Sequence, residues 1–65
     1  MKTDSLVIEK INNRNYVIKE SNLDNPFWDG DRQQYIDYSL KEAVKKFRQD
    51  NNLVGKKLCL IKIFF

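Results

Sequence analysis

Histidine is absent from this 65-residue chain, and cysteine, proline, methionine and tryptophan occur once each. Without histidine, the commonest transition-metal ligand and the commonest general acid–base side chain are both missing. One cysteine cannot form an intramolecular disulfide. Cys59 therefore reads as a small buried apolar residue in a reducing compartment. The two glycines, Gly30 and Gly55, cannot build a glycine-rich phosphate loop. The longest apolar run, "LCLIKIFF", falls far short of the roughly 20 residues of a membrane helix, and Lys62 interrupts it. "KTDSLVIEK", which follows Met1, lacks the apolar run of a signal peptide. These absences lead to the expectation of one soluble cytoplasmic domain over residues 1–65, with no metal and no cofactor. So short a chain buries a modest core, so self-association would add stability.

Charge is plentiful but segregated. Residues 1–40 hold five Lys/Arg against seven Asp/Glu, while residues 41–65 hold seven against two. The acidic excess concentrates at Glu20, Asp24, Asp29, Asp31 and Asp37, with Arg32 as the only cation among them. A chain dipolar along its sequence can steer a charged partner, although this layout says nothing about fold.

"SLVIEKI" and "NYVIKE" are rich in β-branched residues and flank "NNRN", whose asparagines tolerate left-handed turns. The pattern predicts strands over Ser5–Ile11 and Tyr16–Glu20, joined by a turn at Asn12–Asn15. Pro26 holds Asn25 extended, and Asp29-Gly30 is a turn dipeptide. Phe27-Trp28 and Tyr35-Ile36 are then expected to form a short hairpin across that turn. Ser39-Leu40-Lys41-Glu42 is a capping box, after which Leu40, Ala43, Val44 and Phe47 fall on one face of a helix. Asn51-Asn52 supplies a left-handed C-terminus, with Leu53 folding back onto the last turn. Gly55 precedes "KKLCLIKIFF", the last strand. The expected fold is α+β: a small antiparallel sheet, comprising the hairpin, a short third strand and the C-terminal strand, packed by one amphipathic helix in the order β-β-(β)-α-β.

The last strand is apolar on both sides. Leu58, Leu60 and Phe64 alternate onto one face with Lys62, and Cys59, Ile61, Ile63 and Phe65 onto the other. A single helix covers one face of a sheet, so either this strand is central and loops wrap its back, or two chains share that surface, with Ile61, Ile63 and Phe65 as the self-association set of a homodimer.

The stretch "NPFWDGDRQQY" invites three readings. With Gly30 at the sixth position of a calcium loop, Asn25 is first, Phe27 third, Asp29 fifth and Ile36 twelfth; the third position is aromatic and the closing glutamate is missing, so no metal site is expected. As a binding loop, it presents Phe27, Trp28, Asp29, Asp31 and Tyr35, and aromatic residues dominate many interfaces. As a plain turn, its aromatics only seal the core. Catalysis has little to draw on, because Ser5, Ser21 and Ser39 have no imidazole to activate them. No enzyme is expected.

At about 100° per residue, Lys41, Lys45 and Arg48 line one flank of the helix, and Lys46 lies on the other between Glu42 and Asp50. The first three form either a solvated flank or a stripe able to touch phosphates. One helix excludes a helix-turn-helix, and the tyrosines match no single-strand stacking platform.

The run "YVIKE…FWDGDRQQYIDYSLKEAVKKF" resembles small accessory proteins of bacteriophages and other bacterial mobile elements. In these a strand leads to an aromatic-Asp-Gly turn, a short strand and a capped "S-x-x-E-A" helix. The resemblance implies an accessory role, binding a host or phage protein, with inhibition one outcome of that binding, and carries over no functional residues. The expectation is thus a non-enzymatic protein acting by protein–protein contact. The alternative is a nucleic-acid-binding accessory protein that uses Lys41, Lys45 and Arg48.

Overall fold

A computed structural model describes residues 3–24 and 32–65. Four strands and one helix follow in the order β1 (Ser5–Asn12), β2 (Asn15–Ser21), β3 (Arg32–Ile36), α1 (Leu40–Asp50) and β4 (Cys59–Ile63). They form one sheet, ordered β3-β2-β1-β4, with α1 across one face. The α+β architecture and element order are those expected.

The hairpin pairs Ser5 with Ser21 and Ile8 with Ile18. Its turn is not built on left-handed asparagines: the Arg14 amide donates to Asn12 Oδ1 at 3.0 Å, and a register shift between Lys10 and Asn12 takes up the irregularity. β3 adds antiparallel to β2, with Tyr35 opposite Tyr16. Its expected partner strand at Phe27-Trp28 lies outside the described residues.

β4 departs from the all-antiparallel expectation. It runs parallel to β1, with Leu6 opposite Leu60 and Glu9 opposite Ile63, so the sheet is mixed. The reason is the connection. An 11-residue helix rising about 1.5 Å per residue carries the chain from the end of β3 back to its starting side. The next strand must then run in β3's direction, as in any strand–helix–strand crossover.

The helix begins where the capping box places it. The Glu42 amide donates to Ser39 Oγ (3.3 Å), and the Ser39 amide donates to Glu42 Oε1 (3.2 Å). Hydrogen bonds from Ser39, side chain first and then backbone, hold the Glu42 carboxyl below its usual range. At the other end Asn52 takes a φ of 57°. Its amide reaches the Gln49 carbonyl (3.4 Å) and the Leu53 amide reaches that of Arg48 (2.8 Å), the paired bonds of a Schellman termination. Leu53 folds back into the core.

Alternation sends Leu6 and Ile8 of β1, Tyr16 and Ile18 of β2 and Tyr35 of β3 toward α1, where they enclose Ala43 and Phe47. Leu40, Val44 and Leu58 pack at the margin of this core. At the junction of β3 and α1, Asp37 takes a φ of 68°. Its carboxylate pairs with Arg14 Nε at 3.0 Å, Arg14 Nη2 donates to its carbonyl at 2.9 Å, and its amide donates to the Arg14 carbonyl at 2.6 Å. The hairpin turn thereby fixes the direction in which the helix sets off.

Candidate functional site

Of the residues expected in a binding loop, Phe27, Trp28, Asp29 and Asp31 lie outside the described residues. Tyr35 is a correction. It is 6% exposed and stacks edge-on against Phe47 and Tyr38. Its hydroxyl proton is shared between Gln33 Oε1 (2.7 Å) and Asp50 Oδ2 (3.0 Å). Burial raises its pKa above the ordinary tyrosine value, and the hydrogen bond and negative charge of Asp50 raise it further. Tyr35 is a core residue that ties β3 to the end of α1.

The apolar strand set is divided differently from the alternation expected. Ile61 and Ile63 do lie on the face away from α1, beside Val7 and Glu9 of β1, and both are half-buried. Phe65 does not share that face. Phe64 takes a φ of 65°, which breaks the strand's alternation. Phe65 instead stacks on Tyr16 with centroids 6.0 Å apart, and Lys10 and Lys62 sit over its ring at 5.7 and 5.6 Å. Phe65 thus covers the end of the helix-side face that α1 does not reach. Phe64 itself is 77% exposed and Leu60, at the sheet edge, 44% exposed.

Cys59 is a second correction. It is exposed, not buried, because it lies on the outermost strand of the described sheet and, opposite Ser5, shares with Ile61 the face that α1 does not cover. Ser5, its neighbour in register, is fully buried, and its hydroxyl has no hydrogen-bond partner among the described residues.

The basic residues come together as the helical spacing requires. Lys41, Lys45 and Arg48 border an open groove of about 320 Å³ between α1 and the loop that follows it. Sequence reasoning missed the other half of this groove. Its floor is Val44 from the helix and Val54 from the loop, beside Gly55. Val54 is 68% exposed, and Gly55 has a φ of 83°, a left-handed geometry that suits glycine. Arg48 Nη1 donates to the Lys56 carbonyl at 2.9 Å, which holds the guanidinium against the loop. Only the pairing of an apolar Val54 with a following glycine hints at this floor, because a helical wheel contains no loop residues. On the opposite flank Lys46 pairs with Asp50 at 3.3 Å.

Among the described residues, no group of three or more Cys, Asp or Glu side chains comes together as metal ligands would. No described helix is long and apolar enough to cross a membrane. Compared with known proteins, the chain matches no family model, no curated protein and no solved structure.

Proposed function

We propose that this chain is a non-enzymatic cytoplasmic accessory protein that acts by protein–protein contact, with a second copy of itself as its first partner. Capture of a host or phage protein is the role implied by the resemblance to mobile-element accessory proteins. The observation that carries the reading is the edge strand β4. Among the described residues it has one strand neighbour, β1, and an unpaired strand edge is a template for another chain. Its side chains add an apolar incentive on both faces, with Leu60 exposed on one and Ile61 and Ile63 half-buried on the other. Burying an exposed Ile or Leu side chain stabilises an association by roughly 1.5–3 kcal/mol. Lys62, the one charge in β4, sits over the Phe65 ring. Two β4 strands related by a twofold axis would pair antiparallel and continue the sheet through both copies.

Light scattering on the wild type and on Ile63→Asp tests this. The expected result is a wild-type dimer that the substitution converts to a folded monomer. A wild-type chain that stays monomeric at high micromolar concentration overturns the assignment of β4 as a self-association edge.

A further inference from the structure

We propose that the groove between α1 and the Val54-Gly55 loop is a docking site for an acidic segment of a partner protein bearing one apolar side chain. The inference rests on the protein-contact reading above and gives that contact a partner class and a surface of its own.

Three features converge on this ligand chemistry. The border is of one sign: Lys41, Lys45 and Arg48 line the groove, no acidic residue among the described ones does, and Lys56 and Lys57 follow immediately in the chain. The two acids of the helix are engaged elsewhere, Glu42 with the Ser39 amide and Asp50 with Lys46 and Tyr35. The positive field on this flank is therefore left without a local counter-charge among the described residues. Among the described residues Lys41 and Lys45 have no ion-pair partner.

The floor is aliphatic. Val54 stands largely exposed on a short loop and lines the groove together with Val44, an arrangement that rewards an apolar side chain placed between the cations. The Arg48 guanidinium is already positioned by its bond to the Lys56 carbonyl. Less side-chain entropy is then lost when its remaining N–H groups meet a carboxylate.

A nucleic-acid backbone satisfies the first and third features, because a pre-positioned guanidinium meets a phosphate as readily as a carboxylate, but not the second. It offers phosphates to the cations but nothing to Val44 and Val54, and no aromatic ring among the described residues lines the groove on which a base could stack. An extended acidic peptide with a single Leu or Phe satisfies all three.

The test uses the full chain, labelled with nitrogen-15, and four probes. These are a short peptide of Asp and Glu around one central Leu, the same peptide with Ser for Leu, its Asn/Gln counterpart with the Leu kept, and a single-stranded oligonucleotide of equal charge. The Leu-bearing acidic peptide should shift the amide signals of Arg48, Val54 and Gly55 and saturate. Removing its charge or its Leu, introducing Lys41→Glu with Lys45→Glu, or introducing Val54→Ser should each weaken binding about tenfold or more. Val54→Ser leaves the charge unchanged and so separates the floor from the border. Tighter binding of the oligonucleotide, lost steeply with added salt, would make the groove a phosphate-backbone surface and overturn the proposal. Binding of none of the peptides also overturns it. If no peptide binds but light scattering finds the β4 dimer, this inference fails and the protein-contact reading stands; failure of both removes that reading as well.

Discussion

The two faces of the sheet are built from the same four strands but are covered differently. Toward α1, Leu6, Ile8, Ile18 and Phe47 are fully buried, and Tyr16 and Tyr35 nearly so. On the far face Val7 is buried, but its neighbours include Glu9 and Arg32, which approach to 3.6 Å, together with Lys19 and Gln34. Alternation along a strand sorts side chains into two sets, and only the packed helix turns one set into a core. The apolar residues left at the margins, Leu60, Ile61, Ile63 and Val54, are therefore available for contacts, while those under the helix hold the fold together.

The largest test of this comparison is Phe47→Ala. Phe47 is the largest fully buried side chain and is in edge-on contact with Tyr35, with ring centroids 6.3 Å apart. Its truncation should cost about 3–5 kcal/mol, enough to leave so small a domain largely unfolded by circular dichroism. A cooperative unfolding transition near that of the wild type would show that the helix-side face does not carry the stability.

Tyr35→Phe should have an intermediate effect, on the order of 1 kcal/mol from the lost hydroxyl bonds. It should also change the response to alkali. The folded-state pKa of Tyr35 is raised by burial and by Asp50. Its neutral form is therefore favoured in the fold, and this contribution is intact below the unfolded tyrosine pKa of about 10. It is lost as pH rises beyond that value, because the unfolded chain releases the proton first. Urea midpoints measured upward from neutral pH should fall more steeply above that pKa in the wild type than in Tyr35→Phe. Parallel curves would place the Tyr35 hydroxyl in solvent.

The smallest effect belongs to the far face. Ser5 is fully buried and its hydroxyl has no partner among the described residues, so Ser5→Ala removes a polar group that gains nothing from them. Stability should stay within about 0.5 kcal/mol of wild type or rise slightly. A loss of more than 1 kcal/mol in chemical denaturation would mean that the hydroxyl has a partner in solution and that the far face is more tightly organised than its composition implies.

Local interactions made much of this architecture legible. The hairpin strands lie where the β-branched runs place them, extended by a residue at one or both ends. The helix starts at its capping box and ends at its left-handed asparagine, because both signals are satisfied by hydrogen bonds within a few residues. Part of the candidate groove was legible for the same reason: Lys41, Lys45 and Arg48 share a flank by helical periodicity alone. Its Val54 floor was not, since a loop residue has no period. The parallel direction of β4 follows from a strand–helix–strand order, but reading the strands as a meander hides it.

By itself, then, the sequence determined the elements, their caps and the segregation of charge, all of which depend on residues close together in the chain. Tertiary structure alone decided which apolar residues are covered. Tyr35 is core because Phe47 of α1 packs against its ring, and Cys59 is exposed because it lies on the uncovered face of the outermost strand of the described sheet. Phe65 joins Tyr16 because a single left-handed residue, Phe64, breaks the strand's alternation. Periodicity assigns a side chain to a face, but burial depends on what packs against that face, and this is set by contacts between residues far apart in the chain.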